Sequence, residues 1–188
     1  SVQLKSAMEI IERCKSFDKK IVAGGPLFTE EFEKFPMVDH LVLNEAEITM
    51  PWFLRDLENS KTKKIYRTDE FADITLSPAP DYSLIKSSNY SSICIQYSRG
   101  CPFNCDFCDI TALLGHKSRI KTTSQIITEL DNIYHSGWKG NIFFVDDNFI
   151  GNKPVLKTDL LPQLITWMQE HGNPFTFSTE ASINLADD

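Results

Sequence analysis

The chain has 188 residues, a hydrophobic fraction of 41%, and 19 Lys and Arg against 26 Asp and Glu, a formal net charge of -7. That is enough apolar material for a core and the wrong charge for a backbone-driven nucleic-acid binder. No run of eighteen apolar residues and no basic-then-apolar N-terminal stretch is present, so neither a membrane span nor a signal peptide is expected and the cytoplasm is the default compartment.

Leu4, Ala7, Met8, Ile10, Ile11 and Cys14 recur at steps of three and four, which predicts an opening amphipathic helix over Gln3–Cys14. Lys20–Pro26 reads as a short strand broken by Gly24 and Gly25, and Asp39–Leu43 as a second strand. Asn44-Glu45-Ala46-Glu47 then leads towards a helix over Pro51–Glu58, with the proline in its first turn. Between Asn59 and Asn89 the pattern dissolves into Lys61-Thr62-Lys63-Lys64 and Ser77-Pro78-Ala79-Pro80, the composition of a linker or wrapping segment.

Ile93–Tyr97 is the next predicted strand, with a cysteine-rich loop at its C-terminal end. Thr122-Thr123-Ser124 caps a helix carrying Ile126, Ile127, Leu130, Ile133 and Tyr134 and ending near Gly137. Asn141–Val145 is a buried strand, Leu160–Met168 a helix stopped by Gly172, and Phe175–Ser178 a third strand. Strands alternating with helices predict an α/β fold with parallel sheets and right-handed crossovers. The domains expected are residues 1–60, a linker over 61–90, and residues 91–188. Both ends look cut, because three strands cannot close a barrel, so an internal fragment is expected.

Cys101, Cys105 and Cys108 are spaced C-x-x-x-C-x-x-C within one loop. Clusters of iron and sulfur are commonly held by four thiolates, so three thiols from one loop suggest a cluster with one iron left for a ligand. Five cysteines, three of them in eight residues and none in a secretory context, argue against a disulfide framework. Cys14 and Cys94 are expected as small core residues. The competing metal reading is structural zinc, with His116 or a partner chain as fourth ligand, in a metal-stabilised binding module.

Acidic and amide groups at the C-terminal ends of later strands share an edge with the cysteine loop, as ligand-binding loops of parallel barrels do: Asp146, Asp147 and Asn148 after the second strand, Glu180 after the third. Each also suits a solvated turn. Arg99 is expected to pair with a carboxylate, and Arg119 and Lys121 to be solvated or helix-flanking charges. No residue is assignable as a general acid, base or nucleophile.

Placed after a first strand and before a helix, the loop resembles the radical S-adenosylmethionine (SAM) superfamily. The resemblance implies that Cys101, Cys105 and Cys108 hold three irons of a [4Fe-4S] cluster and that the fourth iron binds SAM. It also implies that Phe107 lies near the adenine. Where the superfamily often has Gly-Gly-Glu after its second strand, Val145-Asp146-Asp147-Asn148 stands here, which leaves the amino-group ligand open between Asp146 and Asp147. Gly24-Gly25, with Asn44-Glu45-Ala46-Glu47, is similar to the cobalamin-binding Rossmann-like domain of one large subfamily, and implies that the two glycines lie along the cobalamin nucleotide tail. The subfamily's Asp-x-His-x-x-Gly motif does not occur in this sequence.

The stretches Ser98–Cys105, Phe143–Asn152 and Thr179–Ala186 resemble the cobalamin-type radical SAM group that includes hopanoid methylases. The fold so implied is the C-terminal half of a Rossmann-like cobalamin-binding domain followed by the first half of a partial (β/α)6 barrel. The function implied is reductive cleavage of SAM to a 5′-deoxyadenosyl radical, serving cobalamin-dependent methyl transfer to an unactivated carbon of a small-molecule or lipid substrate, with an external electron donor. Rearrangement or oxidation without methyl transfer is the alternative within the superfamily.

Overall fold

The computed structural model describes residues 3–183 and divides into two compact units, Ser1–Ala72 and Asp73–Asp188.

In the first unit, helix α1 (Leu4–Ser16) leads to strand β1 (Val22–Gly24), the short helix α2 (Pro26–Glu31), strand β2 (His40–Val42), helix α3 (Ala46–Glu58) and strand β3 (Ile65–Tyr66). The three strands form one parallel sheet in the order β1-β2-β3, with Ala23 opposite Leu41 and Val42 opposite Tyr66. Alternation along β2 sends Leu41 and Leu43 into a core with Ile11, Phe35 and Val38, and Val42 into a second core with Phe53 and Tyr66. Both sheet faces are therefore covered, as parallel sheets require.

Helix α3 begins earlier than its proline suggested. The Thr49 hydroxyl donates to the Leu43 carbonyl at 3.0 Å, and the buried Glu45 carboxylate accepts from Ala72 N at 2.8 Å. Helix α3 thus extends a full turn upstream, and Pro51 lies inside it rather than in its first turn. The 61–90 stretch is structured at both ends: it supplies β3 to the first sheet and the 3-10 turns Ile74–Leu76, Tyr82–Leu84 and Ser87–Asn89 to the second unit. Asp73 and Asp81 cap the first two turns through the backbone N–H groups of Thr75 and Ser83.

The second unit holds strands β4 (Ser92–Ile95) and β5 (Ser98–Arg99), helix α4 (Ile110–Leu114), strand β6 (Arg119–Ile120), helix α5 (Thr123–His135) and strand β7 (Asn141–Phe144). The short helix α6 (Lys153–Val155), a π-helical turn at Leu156–Leu160, helix α7 (Leu161–Glu170) and strand β8 (Thr176–Thr179) complete it. β4, β7 and β8 form a parallel sheet in that order, with Cys94 opposite Phe143 and Phe143 opposite Ser178. Ile93, Ile95, Ile142 and Phe144 turn one face of it onto Ile126, Leu130 and Ile133 of α5 and Leu164 and Trp167 of α7. At about 25 cal/mol per Å² of apolar surface, each such side chain contributes about 1.5–3 kcal/mol. Cys94 takes the opposite face and is exposed, a correction to its expected place in the core, because its neighbours at odd register occupy the core side.

Helix α5 opens on a capping box. Thr122 Oγ1 accepts from Gln125 N at 3.2 Å, and Gln125 Oε1 accepts from Thr122 N at 2.9 Å. Among the described residues, no helix is long and apolar enough to cross a membrane.

Candidate functional site

The cysteines stand on a loop closed at its base. β5 and β6 pair antiparallel, Ser98 with Ile120 and Arg99 with Arg119, so that residues 100–118 leave and return at one point. Gly100 begins the loop at φ +90°, where a Cβ would lie 2.6–2.9 Å from the carbonyl oxygens of Lys117, Gly115 and Leu114. Only glycine fits that crossing of backbones. Beyond it, Cys101 N donates to Gly115 O at 3.2 Å and Cys108 N to Cys105 O at 3.0 Å, a turn that carries the second and third cysteines.

None of the three thiols is in a disulfide, Cys105 is exposed, and Cys101 and Cys108 are half-buried. Phe107 is 90% exposed, so no protein surface covers its ring. Among the described residues, no three His, Cys, Asp or Glu side chains converge closely enough to hold a metal ion. The donor set nonetheless fits an iron–sulfur cluster in kind, since three free, accessible thiols come from one loop with fixed ends.

At the C-terminal end of β7 two consecutive carboxylates do different work. Asp146 is 2% exposed and accepts from Tyr97 N at 3.1 Å, from Ser98 Oγ at 2.5 Å and from Ser98 N. Burial pushes its carboxyl above the usual carboxylate range, and the Ser98 and Tyr97 donors oppose that rise. Asp147 accepts from Gly100 N at 3.3 Å. Its carboxyl is also raised, first by burial and further by the Glu180 carboxylate, while the Gly100 N–H and the Arg99 guanidinium lower it.

Arg99, expected against a carboxylate, donates from Nε to Gln96 Oε1 at 2.7 Å and also lies in the field of Asp147. Glu180 follows β8 at the same edge; its carbonyl accepts from Phe149 N at 3.1 Å, and Asn148 is tied to Ser182 through its side-chain oxygen and nitrogen. Of the stretch Thr179–Ala186, residues Asn184, Leu185 and Ala186 lie outside the described residues.

Lys121 corrects the expectation of a solvated charge. Its Nζ lies 2.5 Å from Glu129 Oε1, both side chains are buried, and the Tyr82 hydroxyl donates to Glu129 Oε2 at 3.3 Å. Burial and the Glu129 charge push the Tyr82 phenol upward. Sequence offered no signal for this group, because its members come from a 3-10 turn, a strand end and a helix. Arg119 donates to Leu114 O at 3.0 Å and so holds the returning arm of the loop.

In the first unit, Gly24 and Gly25 have different reasons to be glycine. A Cβ on Gly24 would lie 2.3 Å from Val42 O, a packing demand of the sheet. Gly25 has φ +90° and open space where a Cβ would stand, which fits close approach of a ligand to the backbone. Elsewhere an apolar groove of about 430 Å³, lined by Phe144, Leu161, Ile165, Met168 and Phe177, contains none of the cysteines or acids described above.

No protein-family model matches the chain. In sequence it is similar to an uncharacterised methyltransferase of Synechocystis sp., at 45% identity over 100% of this chain and 35% of the relative. It is similar to the hopanoid C-2 methylase of Rhodopseudomonas palustris at 37% identity over 98% of this chain and 36% of the relative. With the bacteriochlorophyllide d C-8(2)-methyltransferase of Chlorobaculum tepidum it shares 27% identity over 100% of this chain and 44% of the relative. The chain thus spans about a third of the length of the first two relatives. Its fold is similar to that of the cobalamin-dependent S-adenosylmethionine radical enzyme OxsB solved with aqua-cobalamin bound, with a TM-score of 0.72 over 93% of this chain and 28% of that one, at 20% identity.

Proposed function

The chain is similar to the group that includes the hopanoid methylases, and from that premise we propose that it serves a cytoplasmic radical SAM enzyme for cobalamin-dependent methyl transfer to an unactivated carbon. The observation that carries the reading is the closed cysteine loop at the C-terminal edge of a parallel sheet, with Asp147 and Glu180 at the same edge. When bound, a [4Fe-4S] cluster supplies the electron that cleaves SAM to methionine and a 5′-deoxyadenosyl radical, and cobalamin supplies the transferred methyl group.

The roles of this chain's residues are holding and orienting. Cys101, Cys105 and Cys108 supply the thiolates, and the β5–β6 pair fixes the ends of the loop that carries them. Asp147 and Glu180, two carboxylates in one another's field, suit the ammonium group of an amino acid moiety. Asp146 is taken up by Tyr97 N and by the N–H and hydroxyl of Ser98, which favours Asp147 as the amino-group partner. Phe107, fully presented to solvent, offers a flat face for an adenine ring. Gly25, with the strand end at Gly24, gives the first unit a place for backbone to run along a nucleotide tail.

Anaerobic reconstitution of the full-length protein with iron and sulfide tests the reading. The expected result is about four irons per chain, bleaching with dithionite, and release of 5′-deoxyadenosine from SAM that Cys105→Ala abolishes. Zinc retained on the three thiols, or cleavage surviving in Cys105→Ala, overturns it. SAM labelled in its methyl group separates the outcomes: label in a product means methyl transfer, and label confined to methionine means radical chemistry without it.

A further inference from the structure

The ladder between β4 and β7 ends at Val145 N, which donates to Ile95 O at 2.9 Å. Past that point the first strand needs new partners, since Tyr97 and Ser98 are both about 1% exposed and water cannot satisfy their backbone. The Asp146 carboxylate takes over, one oxygen accepting from Tyr97 N at 3.1 Å and the other from Ser98 N and from Ser98 Oγ at 2.5 Å. On the opposite side, Tyr97 O accepts from Lys121 N at 2.8 Å. Tyr97 and Ser98 are thus where the chain leaves the β4 sheet and enters the β5–β6 pair, Ser98 lying two residues before Gly100 and three before Cys101.

We propose that Asp146 is a positioning residue for the cysteine loop, not a cofactor ligand: its carboxylate replaces the missing strand ladder and fixes the direction in which the chain enters the loop. Its neighbour extends the device, since Asp147 accepts from Gly100 N. The end of β7 therefore grips three residues of the entering arm, and the Asp146 carboxylate, with three donors already on it and 2% exposed, faces the chain rather than solvent. The proposal rests on the reading of the loop as a metal-carrying one only for its consequence. The grip itself is independent of any metal.

The test uses Asp146→Asn in the full-length protein. An amide can replace one acceptor oxygen but turns N–H groups towards the other donor, Tyr97 N–H or the Ser98 pair. Hydrogen exchange at Tyr97 and Ser98 is expected to rise about tenfold to a hundredfold, the loss of a bond to a charged group, with exchange at Ile142 and Phe144 unchanged. In the reconstituted protein, loss of iron to a chelator is expected to run about tenfold faster. Unchanged exchange at Tyr97 and Ser98 overturns the proposal, and so does an equal rise throughout β7, which marks general loosening. Should the variant fail to fold, exchange in the wild-type protein decides: Tyr97 and Ser98 amides protected as strongly as Ile142 and Phe144 support the proposal, and amides there that exchange as freely as exposed backbone overturn it. A wild-type protein that binds no iron sinks the functional reading and leaves the exchange result to decide the role of Asp146.

Discussion

Lys121 and Glu129 form an ion pair at 2.5 Å with side chains 6% and 1% exposed, one at the exit of the cysteine loop and the other on the inner face of α5. Truncating one partner strands a charge in the core, which costs about 3–5 kcal/mol, whereas replacing both with apolar groups of similar volume is often neutral or better. We expect Lys121→Met to lower the urea midpoint of the full-length protein sharply, and Lys121→Met with Glu129→Leu to recover most of the loss. A double variant as unstable as the single one contradicts this account.

Gly100→Ala should damage the loop selectively. A left-handed backbone costs an alanine about 1–2 kcal/mol, and here the new methyl also meets the Lys117, Gly115 and Leu114 carbonyls. Limited proteolysis is the check: cleavage within residues 101–117 is expected to accelerate while α5 and β7 stay protected.

The glycine pair of the first unit predicts two different outcomes. Gly24→Ala drives a methyl to 2.3 Å from Val42 O and should separate β1 from β2. Gly25→Ala meets no neighbour and bears only the backbone penalty of φ +90° with ψ 178°, a region nearly confined to glycine, about 1–3 kcal/mol. Thermal melts should therefore rank Gly24→Ala well below Gly25→Ala; the reverse order would mean that the Val42 contact is relaxed at no cost.

Asp39 supplies a pH dependence. A hydrogen bond from Lys15 at 2.6 Å, then one from Ile21 N at 2.7 Å, holds its carboxyl below the usual range. A depressed folded value means stability present above the unfolded pKa, near 3.9, and lost as pH falls through the folded one. Both side chains are about a third exposed, so the pair contributes about 0.2–1 kcal/mol. The gap in stability between wild type and Lys15→Met should be widest near neutral pH and close as pH drops below about 4. Urea titrations at several pH values measure it.

The alternation of the longer helices with the strands was legible because α1, α5 and α7 carry apolar stripes, as Ile126, Leu130 and Ile133 do, and the longer strands have residues for a buried face, whereas α2, α4 and α6 are too short to show one. β3, β5 and β6 escaped because two residues have no periodicity. Their pairing is fixed by what lies far away in the chain, such as Asp146 for Ser98. The cysteines could be read directly from their spacing, while the split of labour between Asp146 and Asp147 could not, since sequence places both at one strand end and only the fold turns one inward. Lys121 looked solvated because charge alone says so; its partner is eight residues on, across an element boundary.

The antiparallel pair beneath the cysteine loop also has an entropic meaning. Joining the ends of a free segment of about twenty residues costs on the order of 2–3 kcal/mol. Ser98–Arg99 and Arg119–Ile120 meet that cost when the chain folds, before any ion arrives. An ion gathering thiolates from this segment then has only the span between Cys101 and Cys108 left to order, on a loop whose two ends already stand together.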